Sequence, residues 1–332
     1  VDKLDSILNK AFSRRSFLAG AGSVAAASVV SGCSNDNPPV STAAYTDADV
    51  LNFALNLEYL EAQFYAYAAT GSGISSSLLG TPSGYTGSYT QGTVTLGNAA
   101  KVTGLNTAQQ NILNEIAYEE QQHVAFLRTA LGPAAVPMPS IDLSFFGPLA
   151  LALQPPQAGF NPFASFDAFL LGAFIFEDVG VTAYSGAAPL ISAAGVTSGY
   201  LNAAAGILAV EAYHAGYIRT TLTARAISAG SAAAYPYLGI ANSIGALRAT
   251  LTVGNSGVPS VSTGATTETN LTLPTSGTQP SAIVNCSANN ATGFARTVNQ
   301  VHHIVYGSPT VGVAKGGFFP NGTNSIFSTT TA

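Results

Sequence analysis

The motif Glu-x-x-His occurs twice in the 332-residue sequence, as Glu120–His123 and Glu211–His214, and each copy is preceded by a further glutamate, Glu58 and Glu177. A spacing of three sets carboxylate and imidazole side by side on one face of a helix, aimed at one point. At about 100° per residue, Glu120 and His123 share their face with Leu113, Ile116 and Leu127, while Gln110, Asn114, Gln121 and Arg128 lie opposite. Glu211 and His214 share a face with Ile207, Ile218 and Leu222, and Glu177 lies among Leu170, Ala173, Val181 and Tyr184. Glu58 and Glu61 fall beside Ala54 and Tyr65, opposite a stripe of Asn52, Asn56 and Gln63 that reads as the wet side. A carboxylate on a core face needs a partner, because burying it unpaired costs several kcal/mol or forces it to take up a proton. One reading is a group of core polar side chains satisfied without metal. A metal site accounts for more, since no counter-charge is in view. Arg128 and Arg219 each stand five residues after a histidine and so tend away from the acidic face.

Four long apolar segments must position these groups: 47–69, 107–131, 165–192 and 199–228, each closed by Gly or Pro signals. Asp47, Thr107 and Ser165 are the expected N-caps of the first three. Residues 70–106 are rich in Gly, Ser, Thr and Tyr and predict an elaborated loop or small hairpin. The Pro-punctuated stretch 133–162 must cross from the second helix to the third. Residues 231–332 read as a Ser/Thr/Gly-rich extension, with helical pieces near Ile240–Leu251 and Gly293–Tyr306 and an aromatic-anchored turn at Phe318–Gly322. His302 and His303 are expected at the surface or in this tail.

The two halves match one another. The segment Glu120–Leu131 aligns with Glu211–Leu222 at Glu, His, Arg, Thr and Leu, and Glu58 and Glu177 are each followed seven residues later by a tyrosine, Tyr65 and Tyr184. A duplicated helix pair would set two ligand sets about a pseudo-two-fold axis.

Composition narrows the field. Only 8% of residues are charged, with 11 Lys+Arg against 16 Asp+Glu and a net charge of −5; an ordinary soluble domain carries about 25%. So few basic residues cannot neutralise a run of phosphates, which argues against nucleic acid as a partner. The uncharged surface predicts self-association. Two cysteines make neither a disulfide framework nor a Cys-based zinc site.

The amino terminus, residues 1–32, reads as an export signal. Ser13-Arg14-Arg15-Ser16-Phe17-Leu18 resembles the bacterial twin-arginine motif, with Ala19 where a lysine is common. The apolar run that follows, from Phe17 to Gly32, is shorter than the ~20 residues a spanning helix needs. Val30-Ser31-Gly32-Cys33 resembles a lipobox, in which Cys33 would be acylated after cleavage; an ordinary signal peptide with a chance cysteine is the alternative. The expected partner is the twin-arginine machinery. Periplasmic or cell-surface placement follows, with membrane contact only through Cys33. Residues 33–46 form a tether.

Four helices supplying Glu, Glu-x-x-His, Glu, Glu-x-x-His resemble the ligand pattern of ferritin-like di-iron and di-manganese proteins. More narrowly, Asn52–Tyr65, His123–Arg128, Ile304–Tyr306 and Gly317–Gly322 resemble the exported ferritin-like family that includes plant desiccation-related proteins. The resemblance covers roughly residues 45–322. It implies an all-α antiparallel four-helix bundle over residues 47–230 with a long second-to-third crossover, and a dinuclear Fe or Mn centre. Carboxylate oxygens with two imidazoles suit those ions better than Cu(I) or a thiolate zinc site. In that pattern Glu120 and Glu211 are bridging ligands, Glu58 and Glu177 terminal, and His123 and His214 bind one ion each. Glu61 is the alternative to Glu58. Tyr65 and Tyr184 either support the ligands or pack the core; Glu119 either orients a histidine or is exposed. The implied activity is redox chemistry with O2 or H2O2, ferroxidase or catalase-like. A non-enzymatic structural or desiccation-protective envelope protein is the rival.

Overall fold

The computed structural model describes residues 45–253, 268–272, 283–286 and 291–330. The expected signal and tether, with Arg14, Arg15 and Cys33, lie outside the described residues, as does most of the 254–290 run.

Eight helices are present among the described residues: α1 Asp47–Thr70, α2 Thr107–Leu131, α3 Phe146–Leu151, α4 Phe166–Ala187, α5 Ala193–Thr197, α6 Tyr200–Ser228, α7 Tyr237–Val253 and α8 Val298–Val305. The four long segments of the sequence become α1, α2, α4 and α6. Caps fix where they start. Ser165 accepts from the Ala168 amide as expected. The cap of α1 is Thr46, in a capping box with Asp49, and that of α2 is Asn106, boxed with Gln109. Both lie one residue before the expected position, and each has an extended backbone that frees its side chain to turn back. Asp47 instead takes the Ser192 amide and hydroxyl, both at 2.7 Å. At the other end of α1, Gly71 adopts φ 80°, a left-handed conformation that closes the helix.

Hydrogen bonds show the helices running antiparallel. Asn52 near the start of α1 meets Ala134 just beyond α2, at 2.9 Å, and Ala68 near its end meets Val102 just before α2, also at 2.9 Å. Asp167 at the start of α4 pairs with Arg225 at the end of α6. The crossover between α2 and α4 contains α3 and a short strand, β2 Ile141–Asp142. This strand pairs in parallel with β1 Val94–Thr95. The 70–106 segment is therefore an elaborated loop carrying one edge of this pair; the hairpin alternative does not form.

α1 is buried on all sides, and the expected wet stripe is dry: Asn52, Asn56 and Gln63 are 7%, 0% and 2% exposed. The crossover and the C-terminal extension cover it and satisfy these amides. Asn56 bonds the Asn324 backbone, Asn52 bonds the backbone of Ala134 and Val136, and Gln63 reaches Met138 Sδ. A buried polar group is tolerated when it is bonded in this way.

The extension packs on the bundle. Its anchor is a buried ionic network: Asp178 on α4 pairs with Arg219 on α6 and with Arg248 on α7, each at 2.8 Å. Arg248 also reaches Glu268 at 2.7 Å, and Glu268 pairs with Arg296, which lies just before α8. His302 and His303 on α8 are fully buried rather than at the surface. His302 stacks on Tyr306 and meets the edge of Phe53, while His303 Nδ1 lies 2.6 Å from the Ser308 carbonyl oxygen. The tail folds back over α1, so histidines in a polar-rich stretch end in the core. No described helix is long and apolar enough to cross a membrane.

Candidate metal centre

Each long helix turns acidic side chains toward one buried point. Glu58, Glu120, Glu177 and Glu211 are at most 1% exposed, and His123 and His214 are 8% and 5% exposed. His123 Nδ1 stands 3.2 Å from Glu58 Oε2, 3.5 Å from Glu211 Oε1 and 3.6 Å from Glu120 Oε2. His214 Nδ1 stands 3.0 Å from Glu120 Oε1 and 3.4 Å from Glu177 Oε2. Their ligand atoms form two overlapping groups, each within 4.8 Å: Glu58, Glu120, His123, Glu211 and Glu120, Glu177, Glu211, His214. Glu120 and Glu211 belong to both.

Across the halves, the tyrosines tie the set together. Tyr65 donates to Glu177 Oε1, and Tyr184 donates to Glu58 Oε1, so each half steadies the other's glutamate. Both rings also pack the core. Glu119 does orient a histidine: its Oε2 lies 2.7 Å from His214 Nε2, with the side chain 36% exposed. That contact turns His214 Nδ1 inward.

Glu61 is buried as well but belongs to neither group. It faces Gly180, where a methyl group would fall on Glu211 Oε2 and lie 3.5 Å from Glu61 Oε1. In the duplication Gly180 follows Glu177 by three as Glu61 follows Glu58, so the two halves differ here.

The donor set fits a cation. Both oxygens of Glu120 and of Glu211, Glu177 Oε2 and His214 Nδ1 are buried without a hydrogen-bond partner among the described residues; the close approach of His214 Nδ1 to Glu120 lacks hydrogen-bond geometry. Leaving such atoms unmet costs about 1–3 kcal/mol each, more when charged. Burial, then the neighbouring carboxylates, raises Glu61 and Glu211 well above the ordinary carboxylate range, and burial raises Glu58 and Glu177. Burial pushes Glu120 the same way, but the two imidazoles beside it outweigh burial and hold it down to about 2. Burial opposes charge on the imidazoles, yet the carboxylates, led by Glu58 and Glu177, push His123 up to about 10 and His214 to about 12. Such a cluster can be neutralised by protons or by a cation. The buried Glu and His groups could hold a metal ion in place of protons.

The Asp178–Arg219 pair went unforeseen. Its signal was an aspartate beside Glu177 in an apolar run, and Arg219 turns from the acidic face to meet it.

A family model described as "Ferritin-like domain" matches residues 46–224, more than half of the chain. A desiccation-related protein of Craterostigma plantagineum, PCC13-62, is 32% identical over 188 residues, 54% of each chain. A ferritin-like catalase of Nesocodon mauritianus, Nec2, is 29% identical over 152 residues, 43% of this chain and 44% of that one. The chain spans about half the length of the curated relatives it matches. No solved structure matches it. With the match over α1 to α6 and the buried four-helix acidic site, the chain belongs to the ferritin-like domain family.

Proposed function

We propose that the six residues Glu58, Glu120, His123, Glu177, Glu211 and His214 hold a dinuclear Fe or Mn centre that carries out redox chemistry with O2 or H2O2. The observation that carries this is that Glu120 and Glu211, whose four buried oxygens have no hydrogen-bond partner among the described residues, belong to both ligand groups. Shared carboxylates suit bridging, leaving Glu58 with His123 and Glu177 with His214 for one ion each. Two such ions cycling between +2 and +3 would supply or accept two electrons, as either a ferroxidase or a catalase-like reaction requires.

The chain's own contribution is orientation and exclusion. Tyr65 and Tyr184 hold the terminal glutamates by their Oε1 atoms, leaving the Oε2 atoms for the centre. Burial strips water from the carboxylates and strengthens every charge interaction there. Glu119 Oε2, on the half-open side, accepts from His214 Nε2 and links that imidazole to solvent. The experiment is turnover of H2O2, or Fe(II) oxidation by O2, by the loaded protein and by Glu120→Ala. The reading expects loss in the variant; undiminished turnover contradicts it.

Export completes the proposal: passage by the twin-arginine route after folding and metal loading, with Cys33 acylated and the protein at the periplasmic or cell surface. The relative named as desiccation-related supports a second reading, a non-enzymatic protective protein on this scaffold. Full stability after exhaustive chelation favours it, and collapse on metal removal opposes it.

A further inference from the structure

Two small apolar cavities lie between the bundle and the C-terminal extension. The inner one, about 10 Å³, is bounded by Leu57, Val179, Glu61 and Gly180 together with Ile175 and Ile304. The outer one, about 20 Å³, has Ile175 and Ile304 as walls again, with Leu153, Phe160, Ile240 and Leu247. Phe160, Ile240 and Leu247 are only half-buried, so the outer cavity faces the surface. At the inner end, Gly180 abuts Glu211, and a side chain there would press on its carboxylate. The inner cavity therefore shares a wall with the acidic cluster, at the place where the duplicated halves differ.

The lining decides what can travel there. The outer cavity has room for about one water-sized molecule and the inner one stands at the lower limit for one, and a water in such a space needs two to four polar partners. Glu61 is the one polar side chain bounding the inner cavity, and Arg248, bounding the outer one, has its terminal nitrogens engaged by Asp178, Glu268 and the Phe174 carbonyl, which leaves Nε as a single donor, short of what a water needs. Hydrogen peroxide makes the same demands as water and is poorly served. A small apolar gas is not. Polar groups reach the cluster elsewhere, where half-exposed Glu119 meets buried His214.

We propose that the two cavities, divided by Ile175 and Ile304, form a dry corridor that carries dioxygen to the Glu61–Gly180 side of the cluster. This rests on the redox reading above and names dioxygen as a molecule the site handles.

The test uses the full chain with Zn2+ added as a diamagnetic ion, under raised O2 pressure, reading paramagnetic relaxation of methyl resonances. Relaxation at Ile175 and Ile304 is expected to exceed severalfold that at Ile116 and Ile218, which are equally buried but line neither cavity. Equal enhancement at both pairs overturns the corridor. Ile175→Phe should lower the O2 effect at Leu57 severalfold and spare Leu247; an unchanged effect at Leu57 overturns it as well. In iron-loaded protein the same variant should slow Fe(II) oxidation by O2 severalfold but not oxidation by H2O2, and equal slowing of both counts against an O2 route. Enhancement at the corridor in a protein that binds no metal upholds the corridor and removes the functional reading; metal binding without enhancement does the reverse.

Discussion

Tyr184 on α4 donates its hydroxyl hydrogen to Oε1 of Glu58 on α1, at full burial. Tyr65 on α1 returns the same contact to Glu177 on α4, so Glu58 and Glu177 are held by tyrosines of each other's half. A hydrogen bond to a buried charge contributes about 1.5–3 kcal/mol, and partners that orient a metal ligand typically matter 10–100-fold in affinity.

Tyr65→Phe and Tyr184→Phe should therefore each weaken metal binding by about 10–100-fold with the helices intact. Competition with a chelator of known affinity, alongside circular dichroism, checks this. The pseudo-symmetry requires the two variants to behave alike; a loss in only one contradicts it.

Gly180→Ala should displace the Glu211 carboxylate, since the added methyl group falls on Oε2. Alanine is the better helix former by about 1 kcal/mol, so a simple helix-propensity effect would be stabilising. Lowered metal occupancy is expected instead. Gly216→Ala on α6, where the methyl group meets nothing within 4 Å, should leave occupancy unchanged and raise the melting temperature slightly.

The ionic network that pins the extension makes a prediction at acid pH. Burial pushes Glu268 up, but Arg248 and Arg296 outweigh it and hold its carboxyl below the ordinary value. The folded state therefore keeps this carboxylate ionised where the unfolded chain takes up a proton. Its stabilisation is complete above the unfolded value, near 4.5, and is lost as the pH falls below it. At pH 7, Glu268→Gln leaves Arg248 and Arg296 short of charge and should cost about 3–5 kcal/mol, because one partner of a buried set is removed. Urea unfolding of both proteins between pH 7 and pH 3 measures both effects.

His302 adds a second acid-sensitive step. Burial, and then His303, lowers it from 6.5 to about 3, so it stays neutral in the fold while the unfolded chain protonates near 6.5. Stability from this residue is full above about 6.5 and declines as the pH drops toward 3. His302→Gln should flatten that part of the stability curve; an unchanged slope contradicts the assignment.

The inward Glu and His faces were legible because they depend on local spacing. Glu120 with His123 and Glu211 with His214 needed only the helical period to share a face, and the repeat supplied Glu58 and Glu177. Choosing Glu58 over Glu61 was open at that level, since both point inward; the structure groups Glu58 with His123 and turns Glu61 to Gly180. Asn52, Asn56 and Gln63 looked solvent-facing for the opposite reason. Their partners at Ala134, Met138 and Asn324 are remote in sequence, and nothing local announces that a crossover and a tail will cover the helix. His302 was misplaced by the same cause. The helix starts were off by one because Thr46–Asp47 and Asn106–Thr107 each offer two capping residues in succession, and only the backbone conformation selects between them.

The most direct test of the dinuclear centre is the metal content of the purified chain by plasma mass spectrometry, with Glu120→Ala/His123→Ala as control. A bound pair predicts about two Fe or Mn per chain, lost in the control. A well-folded protein with no stoichiometric metal would contradict it, leaving the buried glutamates to share protons with His123 and His214.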